Sequence, residues 1–277
     1  MFRKIKNIHF IGIGGSGMSG IAEVFHNLGY TVTGSDAART SVIDRLKKLG
    51  IAVASGHHPS HIGNAHVVVT STAINHNNSE IKQARKQGIP VIPRIEMLAE
   101  LARLKYAISV AGTHGKTTTT SMLALVMRTG GLDPTIVVGG IIKNIGTGAQ
   151  LGKGDYLIAE ADESDGSFLK LSPTLVIVTN IDNDHVDYYG NMDRLSTAFV
   201  EHVNRIPFYG SAIMNVDDSG VRAVMNRIKR NVVTYGSTAR ADYWFTRVRQ
   251  KGYTVSYDVM HEKKSLGTIT LHVPGDH

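Results

Sequence analysis

SVAGTHGKTT, residues 109–118, is the stretch that decides the fold. It lies between an apolar run at 106–111, which predicts a strand, and a run at 117–129 that predicts a helix. A glycine-rich turn between a strand and a helix lets several backbone N–H groups point at one anion, and the positive end of the helix dipole adds to the attraction. The segment therefore predicts a phosphate-binding loop in an α/β sheet.

Two side chains of this loop have predicted roles. Lys116 would reach the β- and γ-phosphates of a nucleoside triphosphate, and the Thr117 hydroxyl would bind Mg²⁺. The general pattern G-x-x-x-x-G-K-[ST] is not fully met, because its first glycine falls on Val110. A tight turn with a solvated lysine is the alternative. We interpret His114 as a loop spacer, with a general base as the alternative. The residues expected to contact the triphosphate are Gly112, Thr113, His114, Gly115, Lys116, Thr117 and Thr118.

Polar side chains follow two later predicted strands, at 156–160 and 175–179. Glu160 ends the first strand, and His185 follows the second. Sites in parallel α/β sheets form beyond the carboxyl ends of the strands, and a triphosphate with Mg²⁺ needs oxygen ligands there. We therefore predict Glu160 and His185 as ligands of one or two metal ions and, with Lys116, as catalytic residues. Functional and surface roles are equally supported for the remaining carboxylates, Asp162, Glu163, Asp165 and Asp182.

Residues 1–105 alternate predicted strands with predicted helices, which indicates a parallel, doubly wound sheet. GIGGSG at 12–17 satisfies G-x-G-x-x-G, and Asp36 lies 19 residues beyond Gly17. In isolation this is a dinucleotide fingerprint with Asp36 on a ribose hydroxyl, although the same loop serves any diphosphate. From residue 242 the alternation has a period of two, which predicts a hairpin turning at 250–252 and a third strand at 268–273.

The composition narrows the class of protein. A length of 277 residues suits two domains, and the lack of cysteine excludes disulfides and thiolate metal sites. The net charge of +7 comes from scattered residues, so an anionic small-molecule substrate accounts for it without nucleic acid. No apolar stretch approaches the roughly 20 residues of a membrane span. We expect a cytoplasmic protein with no membrane or nucleic-acid partner.

Taken together, the motifs resemble those of the Mur ligase family over essentially the whole chain. The segments that carry the resemblance are IGIGGSGMSGIA at 11–22, TGSD at 33–36, GTHGKTTTT at 112–120, AEADESDGSF at 159–168 and TNIDNDHVDYYGN at 179–191. The resemblance implies a Rossmann-like, UDP-sugar-binding domain at 1–105 and a P-loop ATPase-like central domain at 106–277. Within the family, the motifs are most similar to those of the member that adds L-alanine to UDP-N-acetylmuramate.

The resemblance also implies a reaction of peptidoglycan synthesis that uses ATP and Mg²⁺. The lactyl carboxylate of UDP-N-acetylmuramate becomes an acyl phosphate, and the amine of L-alanine then displaces the phosphate. In the family, the first glycine loop holds the UDP end of the substrate. The residues expected at that end are Gly12, Gly14, Gly15, Ser16, Gly17, Asp36, His57, Ser71 and Thr72.

Two departures from the family pattern stand out. Several sibling ligases carry a modified, metal-bridging lysine, and by spacing that position falls at or near Phe199 here. The family also has a third, C-terminal domain that carries much of the amino-acid site, and its motifs are not present in these residues. We expect a central domain truncated at its C-terminal end and a fragment that is inactive by itself.

Three other functions remain open. A sibling ligase would attach a ready-made peptide to the same UDP-sugar, an NAD-dependent oxidoreductase would use the first glycine loop, and a non-catalytic module would only bind the UDP-sugar. A metal site is a further alternative for four closely spaced histidines, most of which we expect to be surface loop residues: His57, His58, His61 and His66.

Overall fold

The structure is a computed structural model that describes residues 5–142, 147–184 and 186–272. The chain forms two compact units, and its strands belong to two sheets. Both sheets alternate with helices, which confirms the predicted α/β fold. None of the helices in these ranges is long and apolar enough to cross a membrane.

The first sheet has five strands in the order β3-β2-β1-β4-β5, and every neighbouring pair is parallel. Its strands are β1 (Asn7–Ile11), β2 (Thr31–Asp36), β3 (Ala52–Ser55), β4 (Val67–Thr70) and β5 (Val91–Pro93). The helices between and after them are α1 (Ser16–Asn27), α2 (Ser41–Lys48), α3 (Ser79–Lys86) and α4 (Arg94–Ala102). This is the doubly wound arrangement that the first hundred residues predict, with β3 as an additional strand.

Burial and capping explain these elements. The central strand β1 is buried along four of its five residues, as expected for a parallel strand covered on both faces. Helix α2 begins after Thr40, whose side chain accepts a hydrogen bond from the Ile43 N–H, and α3 begins after Asn78, whose side chain accepts one from the Glu80 N–H. Such caps satisfy N–H groups that have no partner within the helix.

The second sheet has ten strands in the order β15-β14-β13-β12-β11-β10-β6-β9-β7-β8. The strands are β6 (Tyr106–Ala111), β7 (Thr135–Ile142), β8 (Thr147–Gln150), β9 (Tyr156–Glu160), β10 (Leu175–Val178), β11 (Ser211–Asn215), β12 (Asn231–Gly236), β13 (Tyr243–Lys251), β14 (Thr254–His261) and β15 (Lys264–Leu271). The helices are α5 (Lys116–Thr129), α6 (Val186–Tyr189), α7 (Met192–Asn204) and α8 (Ser219–Val224).

Strands β13, β14 and β15 are antiparallel to one another at one end of this sheet, and β7 and β8 are antiparallel at the other end. The predicted hairpin is confirmed, but Lys251 pairs with Thr254, so the turn lies at residues 252 and 253 and not at 250–252. The third strand begins at Lys264, four residues before its predicted start. All of its residues but the last are exposed, so no alternation of buried and exposed side chains marks where it begins. Its predicted last residue, Val273, lies outside the described residues.

Three strands of the second sheet bring their carboxyl ends to one edge. The Tyr106 N–H donates to the Asp155 carbonyl at 2.8 Å, so β6 and β9 start side by side. The Thr179 N–H donates to the Ala111 carbonyl at 3.0 Å, so β6 and β10 end side by side. These are neighbouring strands in the sheet, although β9 and β10 lie far along the chain from β6.

Candidate active site

The turn between β6 and α5 has the backbone of a phosphate loop. Gly112 has a φ of +137°, and a Cβ built on it would lie 2.0 Å from the Thr179 Oγ1 atom. Gly115 has a φ of +81°, and no atom lies within 4 Å of where its Cβ would stand. Glycine is required at residue 112 both for its conformation and for lack of space, and at residue 115 for its conformation alone.

Two residues that follow β10 hold this loop. The Thr179 hydroxyl donates to the His114 carbonyl at 2.7 Å, and the His114 N–H donates to the Asn180 Oδ1 atom at 2.8 Å. The Thr113 N–H donates to the Asn180 carbonyl at 3.2 Å. His114 is therefore fixed through its backbone while its side chain is 61% exposed, an arrangement that suits a spacer.

Lys116, the first residue of α5, folds back over the loop. Its Nζ atom donates to the Gly112 carbonyl at 2.7 Å and to the Thr113 carbonyl at 3.3 Å. It also lies 3.0 Å and 2.9 Å from the two carboxylate oxygens of Glu163. Glu163 is fully buried, so the ammonium and the carboxylate form a largely buried ion pair. From the sequence alone, functional and surface roles are equally supported for Glu163 and for its acidic neighbours.

The other predicted residues of this site are placed as follows. Thr117 and Thr118 lie in the first turn of α5, with Thr117 exposed. Glu160 is the last residue of β9, which neighbours β6 in the sheet. His185 lies outside the described residues. Phe199, where siblings carry a lysine, is 1% exposed and packs against Phe168 with ring centroids 5.6 Å apart.

The first glycine loop connects β1 to α1. Gly12 has a φ of +74°, and its N–H donates to the Ser35 carbonyl at 2.8 Å. The Gly14 N–H donates to the Asp36 Oδ2 atom at 2.8 Å, and the Ala38 N–H donates to Oδ1 at the same distance. Asp36 thus holds the glycine loop with one carboxylate oxygen and its own following turn with the other.

Other predicted UDP-site residues lie at the same edge of the first sheet. Gly15 precedes α1, and both Ser16 and Gly17 belong to its first turn. Ser71 follows β4, and its Oγ atom is 4.0 Å from where a Cβ on Gly12 would stand. Thr72 is exposed beside it. His57 follows β3, and its Nδ1 atom is 3.2 Å from the Ser35 hydroxyl.

A buried carboxylate gathers several histidines in this unit. Glu80 is fully buried, and it accepts a hydrogen bond from the Ser35 hydroxyl at 2.7 Å. Its oxygens lie 3.3 Å from the His9 Nε2 atom, 3.1 Å from the His61 Nδ1 atom and 3.5 Å from the His57 Nδ1 atom. Burial by itself raises the pKa of Glu80, but the hydrogen bonds from His9, Ser35 and His61 outweigh it and lower the pKa to about 2.

These contacts bear on the metal-site alternative for the histidines. His58 and His66 are exposed, and His66 accepts a hydrogen bond from the Lys6 N–H at 3.0 Å. His57 and His61, in contrast, are half-buried against Glu80, so the expectation of simple surface residues is wrong for these two. Within the ranges that the structure describes, no group of three or more His, Cys, Asp or Glu side chains is arranged to hold a metal ion.

Arg94 lies next to the first glycine loop, and the sequence alone predicts no role for it. It begins α4, and its guanidinium lies so close to Gly17 that a Cβ there would be 2.9 Å from the Nη1 atom. A cation therefore stands beside the N-terminus of α1. Arg94 lies outside the quoted motifs and Glu163 lies within AEADESDGSF, but the local sequence does not show what either side chain contacts, so only the fold reveals their contacts.

Comparisons with known proteins agree with this geometry. Residues 7–106 match the model described as "Mur ligase family, catalytic domain", and residues 110–277 match "Mur ligase middle domain". Proteins named UDP-N-acetylmuramate–L-alanine ligase from Geotalea daltonii and Endomicrobium trichonymphae are 53% and 54% identical over 277 residues. These alignments cover 100% of this chain but 60% and 62% of the relatives.

Solved structures show the same fold. The UDP-N-acetylmuramate-alanine ligase of Thermotoga maritima has a TM-score of 0.81 and 30% identity, covering 98% of this chain and 61% of that one. The UDP-N-acetylmuramate:L-alanyl-gamma-D-glutamyl-meso-diaminopimelate ligase of Neisseria meningitides has a TM-score of 0.86 and 28% identity, covering 99% and 89%. Since family models match both segments of the sequence, the chain belongs to the Mur ligase family.

Proposed function

We propose that this chain supplies the UDP-sugar-binding and ATP-binding parts of a cytoplasmic ligase that joins L-alanine to UDP-N-acetylmuramate. The observation that carries the proposal is the phosphate loop with Lys116 folded over it, in a chain about half identical to proteins named for that reaction. Residues 1–105 would form the UDP-sugar domain, and residues 106–277 would form the ATP domain.

The side chains at the loop suit a triphosphate and Mg²⁺. The space over Gly115 is open, and the first turn of a helix offers N–H groups that have no partner within the helix. Thr117 and Glu160 carry the hard oxygen donors that Mg²⁺ prefers, and His185 is the further predicted ligand. When bound, the ion would neutralise charge on the phosphates.

The proposed chemistry needs positioning more than covalent help from the protein. A carboxylate is a poor electrophile, so an oxygen of the lactyl carboxylate attacks the γ-phosphorus of ATP and ADP leaves. The amine of L-alanine then attacks the acyl carbon, phosphate leaves, and the ammonium proton goes to solvent. Lys116 would stabilise charge on the transferring phosphoryl group, and the loop backbone would hold the phosphates in place.

The contacts of Asp36 bear on the oxidoreductase alternative. In a dinucleotide-binding site, this carboxylate would bind a ribose hydroxyl. Here one of its oxygens accepts the Gly14 N–H of the glycine loop, and the other accepts the N–H of Ala38, two residues after Asp36. That alternative also leaves Lys116 without a role. A sibling ligase that adds a peptide is the second candidate, and the 28% identity to the Neisseria meningitides enzyme is the observation that favours it.

Calorimetry tests the proposed substrate of the first domain. We expect the 277-residue chain to bind UDP-N-acetylmuramate, with UDP as a weaker ligand and no detectable heat from NAD⁺. Gly14→Leu, which places a bulky side chain against Asp36, should abolish the binding of both uridine ligands. Tighter binding of NAD⁺ than of UDP-N-acetylmuramate would rule out the ligase.

A second measurement separates the two candidate ligases. Phosphate release by the complete protein is followed with ATP, Mg²⁺ and UDP-N-acetylmuramate. The amine is either L-alanine or L-alanyl-gamma-D-glutamyl-meso-diaminopimelate, the peptide in the name of the Neisseria meningitides enzyme. We expect release only with L-alanine, and none after Lys116→Ala. Faster phosphate release with the peptide than with L-alanine would show that the protein is the peptide-adding ligase.

A further inference from the structure

Glu163 is a buried carboxylate that the mechanism above does not use. Its side chain has no solvent exposure, and both of its oxygens lie within 3.0 Å of the Lys116 Nζ atom. The lysine side chain itself is 16% exposed. An ion pair at a phosphate loop affects how the lysine can bind a phosphate group.

The backbone of Glu163 is fixed in place. The Tyr189 hydroxyl, from α6, donates to the Glu163 carbonyl at 2.6 Å, and the Gly166 N–H donates to the same carbonyl at 3.0 Å. Tyr189 is itself buried. Because the backbone is held from two sides and the side chain is buried, the carboxylate cannot turn away into solvent when an anion binds nearby.

Lys116 already uses all of its hydrogen-bonding capacity. An ammonium has three protons, and four acceptor atoms lie within 3.3 Å of Nζ: two backbone carbonyl oxygens and the two oxygens of Glu163. A phosphate oxygen that bonds to Lys116 must therefore replace one of these acceptors. The carbonyls of Gly112 and Thr113 are neutral, whereas breaking the contact with the ammonium would take an adjacent opposite charge away from a buried carboxylate. The carbonyls are thus the acceptors that exchange.

We propose that Glu163 is a positioning residue that stays bound to Lys116 while the nucleotide occupies the loop. It then fixes where the ammonium stands and also offsets its charge before the phosphate arrives. The inference rests on the proposed function, because it concerns phosphoryl transfer from ATP. A fixed lysine acts on charge that develops in the transition state, whereas the neighbouring carboxylate repels the phosphates of the ground state.

The test is Glu163→Gln in the complete protein, which removes the charge and keeps the shape. Less repulsion should tighten ATP binding, and the Kd for Mg²⁺-ATP measured by calorimetry should fall about threefold or more. The loosened lysine should lower kcat for alanine-dependent phosphate release by about tenfold or more. A merely structural defect would weaken binding and turnover together, so the opposite movement of Kd and kcat identifies the positioning role.

Glu201→Gln is the matched control. Glu201 lies on α7 and forms an exposed ion pair with Arg205, the residue that follows this helix, so the variant should leave both constants unchanged. If Glu163→Gln does not fold, Glu163→Asp decides, since it keeps the charge but shifts the anchor and should lower kcat without changing Kd. Weaker ATP binding by Glu163→Gln, or an unchanged kcat in either folded variant, would overturn the role of Glu163. Absence of ligation by the unaltered protein would instead overturn the proposed function, while the calorimetry would still decide whether Glu163 opposes the nucleotide.

Discussion

Glu80 shows what a single buried charge does in the first unit. It brings together side chains from β1, β2 and the segment after β3, and its pKa is lowered to about 2 from an ordinary value near 4.5. A carboxyl whose pKa is lower in the folded protein stabilises the fold above its unfolded pKa. That contribution is lost as the pH falls through the folded pKa. The acid sensitivity from this residue therefore lies between about pH 4.5 and about pH 2.

Glu80→Gln tests this directly. At pH 7 we expect the free energy of unfolding to fall by about 1–3 kcal/mol, because charge-assisted hydrogen bonds in a buried network are weakened. Between pH 4.5 and pH 2 the unaltered protein should lose stability more steeply than the variant. Urea unfolding at several pH values gives both quantities, and Glu201→Gln serves as the exposed control. Parallel pH curves for Glu80→Gln and the unaltered protein would show that Glu80 does not carry this dependence.

At the scale of the element, the phosphate loop depends on one glycine more than on the others. A Cβ at Gly112 would stand 2.0 Å from the Thr179 Oγ1 atom and 3.1 Å from the backbone N and O of Asn180. Gly112→Ala should therefore lower the free energy of unfolding by at least about 3 kcal/mol and abolish nucleotide binding.

Gly88→Ala is the matched comparison for that substitution. Gly88 also has a positive φ, +69°, but no atom lies within 4 Å of where its Cβ would stand. Only backbone strain of about 1 kcal/mol is expected, with normal nucleotide binding. Equal losses for the two variants in chemical denaturation would contradict the assignment of the larger effect to the Thr179 contact.

Helix α7 is fixed to β6 by a neutral histidine. His202 is fully buried, its Nε2 atom is 3.0 Å from the Ser109 hydroxyl, and its ring centroid is 4.8 Å from that of Phe168. Burial, and to a smaller extent the nearby charge of Arg205, lowers its pKa to about 3 from 6.5. The unfolded chain therefore binds a proton at this residue before the folded chain does, and stability falls as the pH drops from 6.5 towards 3.

His202→Gln should flatten this part of the pH profile. Because His202 stays neutral in the folded protein, the free energy of unfolding of the unaltered protein should be about 2 kcal/mol lower at pH 5 than at pH 8. The variant should lack that difference. Thermal unfolding at pH 5 and pH 8 measures the difference, with His58→Gln as an exposed histidine control. A loss between the two pH values that is the same in His202→Gln as in the unaltered protein would refute the neutral state of the buried ring.

Local pattern predicts some of these elements and not others. The strands β1, β6 and β10 are short apolar runs next to turn residues, so their sequence suffices. Strand β3, with the sequence AVAS, has small side chains and no clear period, and it is a strand because its backbone pairs with β2. Strand β12 is half-exposed and obtains its pairing from β11 and β13 in the same way.

At the scale of the whole molecule, the same difference separates the site residues that were predicted from those that were not. Gly112, Lys116 and Thr117 belong to one short segment of the sequence, so a spacing rule finds them. Glu163 contacts Lys116 from 47 residues away, and Asn180 contacts His114 from 66 residues away. No periodicity within one segment contains such a pairing, because it depends on which strands become neighbours in the sheet.

Thr179 and Asn180 hold the loop, so the loop can reach its final structure only after both residues have been synthesised. A ribosome releases residues 112–116 well before it has joined residue 180, at a pace of about 5–20 residues per second. Until then the carbonyl of His114 and the N–H of Thr113 have neither of the partners that they have in the finished protein. Both partners follow β10, which pairs beside β6 in the finished sheet, with β9 on the other side of β6. The loop thus acquires its final hydrogen bonds late, once the segment that follows β10 is in place.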